Sequence, residues 1–253
     1  MLFRPCIDLH DGKVKQIVGG TLGVDNVGLR TNFCSTQPPS HFAAMYRQDD
    51  LTGGHIIMLG PGNEAAALDA LSTWPGGMQV GGGITGDNAV QWLDCGASHV
   101  IVTSHVFHDG QLDRDRLRDL SELVGRERLV LDLSCRWQRD GYYVVTDRWQ
   151  KFTDLRISPA LLDDLAVFCA EFLVHAVDVE GTCTGVDARL LDLLAASIPL
   201  PTTYAGGVSS AADLELIRTA GRGRIDVTVG SALDIFGGHS LRYRDLVARH
   251  APS

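Results

Sequence analysis

Two aspartates and two glycine pairs set the chemistry open to this chain. Asp8 follows Pro5-Cys6-Ile7, and Asp132 follows Leu129-Val130-Leu131, 124 positions later. The same offset of 124 separates Gly82-Gly83 from Gly206-Gly207. A carboxylate at the end of a β-rich run can move a proton, and two facing each other across one mouth can have their pKa values pushed apart into an acid and a base. A glycine lacks Cβ, so its backbone N–H can approach a phosphate oxygen, and a following helix N-terminus adds partial positive charge. Each pair is followed by a second β-rich run ending in a small hydroxyl residue, at Thr103-Ser104 and at Gly230-Ser231. A lone strand-end aspartate can equally cap a helix, and a lone Gly-Gly marks an ordinary turn. Their recurrence at matched positions favours two related halves, each with one carboxylate and one phosphate-sized turn. Two such turns imply a small-molecule ligand with two phosphates.

Elements of one rhythm would place these groups. Eight short β-rich runs, at 3–9, 55–59, 78–81, 99–103, 129–133, 172–177, 202–204 and 225–229, alternate with amphipathic stretches at 40–48, 64–73, 87–95, 112–124, 159–170, 188–196, 211–220 and 241–248. In the seventh of these stretches Leu214, Leu216 and Ile217 lie near one helical face. Ser158-Pro159 and Ser209 or Ser210 look like helix caps. Strand and helix in alternation predict a parallel sheet, and eight strands in 253 residues predict a (β/α)8 TIM barrel with an internal half-barrel duplication, residues 1–253 forming one domain. Longer insertions follow the first run (19–39) and the fifth (136–155), and 141–145 reads as part of a small hairpin. Both insertions, with Asp8, Asp132, Asp178 and Glu180, follow strand C-termini, where such barrels build active sites.

The remaining composition removes other function classes. A net charge of −9 disfavours nonspecific binding to nucleic acid or an anionic membrane. The six cysteines are scattered, without Cys-x-x-Cys, and read as reduced thiols of a cytoplasmic protein. His105 and His108 lack the companions of a metal motif, and neither GxGxxG nor GxxxxGK[ST] occurs, so neither metal nor cofactor is expected. Trp149, in the second insertion, is open to two readings: stacking on a flat heterocycle, or packing of the hairpin onto the barrel.

Several segments together carry a family resemblance: Cys6-Ile7-Asp8-Leu9-His10-Asp11-Gly12-Lys13 with the downstream Gly19-Gly20, Gln79-Val80-Gly81-Gly82-Gly83-Ile84, Asp132-Leu133-Ser134, His175-Ala176-Val177-Asp178-Val179-Glu180-Gly181, and Gly230-Ser231-Ala232-Leu233-Asp234. Over essentially the whole chain they resemble the phosphoribosylformimino-aminoimidazole carboxamide ribotide isomerases of histidine biosynthesis, in their fungal and plant branch. The resemblance implies a cofactor-free Amadori rearrangement of an aminoaldose carrying a phosphate at each end, in a protein expected to act as a monomer. It implies Asp8 as the general base at C2′ of the opened ribose and Asp132 as a catalytic strand-five aspartate. Gly82, Gly83, Thr103 and Ser104 would hold one phosphate, and Gly206, Gly207, Gly230 and Ser231 the other, with Gly20 and Trp149 also at the substrate. Bacterial members carry Thr-Asp-x-x-x-Asp-Gly-Thr after strand six. Here His175 and Ala176 stand at its first two positions and Glu180-Gly181-Thr182 at its last three. That alignment assigns the general acid to Glu180, with Asp178 as its rival. The competing readings are the sister cyclase subunit of imidazole glycerol phosphate synthase and a non-catalytic phosphosugar-binding barrel.

Overall fold

Side chains along each parallel strand alternate between two destinations, and this alternation decides what can reach the mouth. In strand six (Glu171–His175), Phe172 and Val174 join the large apolar layer beneath the helices. Leu173 instead joins a second, smaller cluster with Ile57, Ile101, Val130 and Ala205, which fills the lumen. The computed structural model describes residues 1–21, 28–196 and 198–250.

Eight strands run parallel in chain order: Cys6–His10, Gly54–Met58, Met78–Gly81, Val100–Val102, Leu129–Asp132, Glu171–His175, Thr202–Ala205 and Ile225–Val227. The ring closes where Phe3 pairs with Val227 in parallel, with Arg4 N donating to Val227 O at 2.8 Å and Val227 N to Leu2 O at 3.0 Å. This is the expected TIM barrel. Its helices are α1 (Pro39–Gln48), α2 (Glu64–Thr73), α3 (Ala89–Asp94), α4 (Arg114–Val124), α5 (Pro159–Leu165), α6 (Ala188–Ala196), α7 (Ala211–Ala220) and α8 (Tyr243–Arg249).

Local chemistry explains several boundaries. Ser158 caps α5 by accepting from Leu161 N, with Pro159 at the first helical position. Ser210, rather than Ser209, caps α7 in a reciprocal box with Asp213. Leu214 and Ile217 are buried under that helix, whereas Leu216 is 42% exposed, because only the i,i+3 pair shares the inner face. Strand one begins at Cys6, later than its β-rich run, since Pro5 offers no N–H to a ladder. Strand six ends at His175 because the chain then enters a 3-10 turn at Val177–Val179.

Both insertions carry strands among the described residues. Ahead of the first, a strand at Lys13–Ile17 folds back antiparallel on strand one and pairs with Thr31–Cys34 inside the insertion. Residues 22–27 of this excursion lie outside the described residues. The second is larger than a hairpin: Cys135–Gln138, Gly141–Thr146 and Lys151–Arg156 form a three-stranded antiparallel sheet. Asp147, Arg148 and Trp149 at its second turn all have positive φ, at 51°, 59° and 65°.

Candidate active site

Asp8 lies between Ile7 and Leu9, both of which face the helices, so its carboxylate faces the lumen. The returning strand Lys13–Ile17 brings Gln16 against it, and Gln16 Nε2 donates to Asp8 Oδ2 at 2.9 Å. Burial, joined by the neighbouring Glu180 and opposed by His175, raises the Asp8 carboxyl to about 6. Asp132, at the end of strand five, accepts from Ser134 N and Ser134 Oγ at 2.8 Å each and from Thr103 Oγ1 at 3.0 Å. Burial still raises its pKa, against the pull of His175 and those bonds.

Strand six supplies the residue that sequence reasoning passed over. His175 shares the inward parity of Leu173, a period-two signal that was available to find it. After the 3-10 turn, Glu180 returns over the mouth and its Oε2 lies 2.8 Å from His175 Nε2. Gly19 N donates to Glu180 O at 3.2 Å. Gly181 needs its φ of +69°, and a Cβ there would meet Ile17 O at 2.2 Å. Asp178 points elsewhere, accepting from Arg136 Nε at 2.7 Å and Trp137 N at 3.0 Å. In an extended strand these two carboxylates would share a face; the 3-10 turn separates them. Glu180 lines the mouth, and Asp178 ties the second insertion to strand six.

The mouth holds two hollows, or lobes, whose linings share four residues. A cavity of about 820 Å³ runs past Gly82, Gly83, Thr103, Ser104, Asp132 and Trp149. A smaller pocket reaches Gly206, Gly207, Gly230 and Ser231. Asp8, His55, His175 and Glu180 line both. The duplication is visible in the backbone: Gly83 and Gly207 each have φ +74°, following Gly82 at +92° and Gly206 at +113°. Asn88 braces the first turn, accepting from Thr85 N and donating to Gly83 O. Asp213 braces the second, accepting from Ser209 N and Ser210 N.

The two turns differ in what surrounds them. A Cβ on Gly83 meets nothing within 4 Å, whereas one on Gly207 would strike Gly185 O at 2.1 Å. Substitution at Gly207 therefore perturbs the backbone before it reports on a ligand. Of the expected hydroxyls, Thr103 Oγ1 is committed to Asp132, Ser104 Oγ accepts from Asp147 N, and Ser231 Oγ accepts from Asn32 Nδ2. Thr228, in the eighth β-rich run but not among the expected site residues, adds a buried hydroxyl to the smaller lobe that no protein group satisfies among the described residues. Gly20, expected at the substrate, falls in the 3-10 turn Gly19–Thr21. Its neighbour Gly19 lies against Glu180 and Trp149, both within 3.0 Å of where a Cβ would stand.

Trp149 lies over the large lobe. Its Nε1 donates to Ser134 Oγ at 3.0 Å, and its ring centre is 5.1 Å from that of His175. The indole is thus tied through Ser134 to Asp132, with part of its surface on the cavity. His105 also lines this lobe, where its Nε2 accepts from Gly86 N. Cys6, Asp8 and His55 converge with candidate ligand atoms within 4.8 Å of one another. Burial keeps the Cys6 thiol protonated and Asp8 is engaged by Gln16, so this set suits the floor of a mouth better than a cation.

The family model described as "Histidine biosynthesis protein" matches residues 3–239. The chain is 56% identical, over 98% of its length and 81% of the relative's, to the chloroplastic 1-(5-phosphoribosyl)-5-((5-phosphoribosylamino)methylideneamino) imidazole-4-carboxamide isomerase of Medicago truncatula. It is 49% identical to the isomerases of the same name from Yarrowia lipolytica, over 97% of this chain and 96% of the relative, and from Neurospora crassa, again over 97% and 96%. A barrel with a raised-pKa aspartate between two matched glycine turns, and near-full-length identity to plant and fungal isomerases, lead to one conclusion: the chain belongs to the histidine biosynthesis protein family.

Proposed function

We propose that the chain is the aldose–ketose isomerase of histidine biosynthesis, performing an Amadori rearrangement on an imidazole carboxamide ribotide with a phosphate at each end. One observation supports this reading above the rest: Asp8, lifted to about 6, lines both lobes of the mouth and so lies between the two glycine turns. One phosphate takes the Gly82-Gly83 turn with Ser104, the other the Gly206-Gly207 turn with Gly230 and Ser231, each through backbone N–H groups. Asp8 takes the C2′ proton of the opened aminoaldose and returns it to C1′. The proton that opens the ring comes from the side of the mouth that Glu180 covers. Asp132 is the second reading for that donor, favoured by its raised pKa and its place in the large lobe. Trp149 offers its indole to the carboxamide heterocycle. The cyclase and silent-barrel alternatives have no comparable support, since the relatives above are named isomerases.

Incubating the purified chain with the isomerase substrate alone tests this. The aminoketose is expected without ammonia; a folded chain that leaves the substrate unchanged would refute the reading. The pH dependence follows from Asp8, which works as a base only when ionised. Because its pKa is raised to about 6, the acid limb of kcat/KM is expected to fall about tenfold per pH unit below about 6. A profile flat down to pH 5 would contradict the assignment.

Gly83 gives the cleaner test of the phosphate turns. Aspartate is among the residues that best tolerate positive φ, and its side chain would enter open cavity. Gly83→Asp is expected to raise KM at least tenfold by placing a carboxylate where the phosphate binds, with a modest drop in melting temperature from the strain of a side chain at φ +74°. Unchanged KM in the folded variant would remove the phosphate from that turn.

We further propose a single barrel domain acting as a monomer without nucleic-acid or membrane partners, and a reducing compartment, with the cytosol as the first choice. Among the described residues no helix is long and apolar enough to cross a membrane, and all six cysteines are free. The chloroplastic Medicago relative makes a plastid the competing location.

A further inference from the structure

We propose that His175 carries the proton that opens the ribose ring, with Glu180 as the carboxylate that orients and charges it. The inference rests on the reading that ring opening is acid-catalysed from Glu180's side of the mouth. His175 lines both lobes and is thus positioned to touch a ligand spanning them. Its Nε2 is held by Glu180 Oε2 at 2.8 Å, and no other protein hydrogen bond engages the ring among the described residues, so Nδ1 is left for substrate. An imidazolium has a donor at each nitrogen, and a carboxylate on one fixes the direction of the other. Trp149 packs against the ring at 5.1 Å between centroids, restricting its rotation. Facing it are the carboxyls of Asp8, Asp132 and Glu180, with His55 the nearby base. Burial works against a charged His175, but these three carboxyls outweigh it and raise its pKa. His55, pushed down to about 3 by burial, stays neutral and cannot substitute as the acid.

The step balances without any further reagent. Nδ1–H gives its proton to the ring oxygen as the C1′–O bond breaks with its electrons on oxygen, and the anomeric nitrogen's lone pair forms C1′=N. Asp8 removes the C2′ proton to give the enaminol and delivers it to C1′. The C2′ hydroxyl then becomes the ketone, returning its proton to the neutral imidazole.

The test is a double-mutant cycle with chemical rescue, using the full chain and single-turnover conversion of the isomerase substrate. His175→Gln and Glu180→Gln are each expected to lose about 10²–10⁴-fold in rate with KM within a few-fold of wild type. The double variant should lose no more than the worse single one, because the pair acts as a unit. Added imidazole should restore part of the rate of His175→Ala, and have no effect on Glu180→Gln. If His175→Ala does not fold, His175→Asn in the same cycle carries the test. Near-normal turnover in His175→Gln, or losses that multiply in the double variant, would overturn the proposal while leaving Glu180 as the acid. A large loss in Asp132→Asn with little in both Glu180→Gln and His175→Gln would remove the parent reading and the proposal with it.

Discussion

Asp8→Asn is expected to lower turnover by about 10²–10⁴-fold or more while leaving substrate affinity nearly unchanged. Asparagine keeps the shape of the side chain and can still accept the Gln16 amide that holds Asp8 at 2.9 Å. It cannot accept a carbon-bound proton. Folding provides its own control, because an aspartate whose pKa is raised from 3.8 to about 6 is a destabilising anion at neutral pH. Stability contributed by such a group is fully present below its unfolded value and is lost as pH rises through about 6. Replacing it should therefore raise the melting temperature at pH 7, by up to roughly 3 kcal/mol of stability, with the difference fading below about pH 4. A variant that is inactive because it is unfolded would show the opposite, and near-wild-type turnover would remove Asp8 as the base.

The second large effect separates two carboxylates two residues apart. Glu180→Gln is expected to cost about 10²–10⁴-fold in single-turnover rate, since it discharges the partner of His175 inside the mouth. Asp178→Asn should cost less than about tenfold. That side chain and its partner Arg136 are each more than a third exposed, and an ion pair of this kind contributes at most about 1 kcal/mol. Its loss loosens the joint between the second insertion and strand six and leaves the mouth's charges in place. A larger loss in Asp178→Asn would reverse the assignment.

What could be read from the sequence, and what could not, divides along a physical line. The barrel, its duplication and the paired turns were legible because they depend on local rules. Period-two runs make strands, and glycine supplies the positive φ that Gly83 and Gly207 share. α2, α6 and α7 were legible to the residue from their amphipathic spacing. Contacts made across many intervening residues left no such trace. Gln16 reaches Asp8 only because a hairpin folds back on strand one, and Ser134 joins Trp149 to Asp132 only because three positive-φ residues turn the second insertion inward. Which of Asp178 and Glu180 lines the mouth turned on a single 3-10 turn that extended-strand periodicity could not anticipate. Thr103 was a reasonable phosphate ligand by position, yet its hydroxyl is directed to Asp132, across one strand interval that sequence alone does not display.

The central claim is that one substrate spans both glycine turns with its C2′ carbon at residue 8. A crystal structure of the Asp8→Asn variant soaked with the isomerase substrate tests it most directly, because that variant should bind without turning over. The account places one phosphate at Gly82-Gly83, the other at Gly206-Gly207, and C2′ about 3 Å from the residue 8 side chain. Both phosphates away from these turns, or a C2′ held beyond the reach of residue 8, would contradict it.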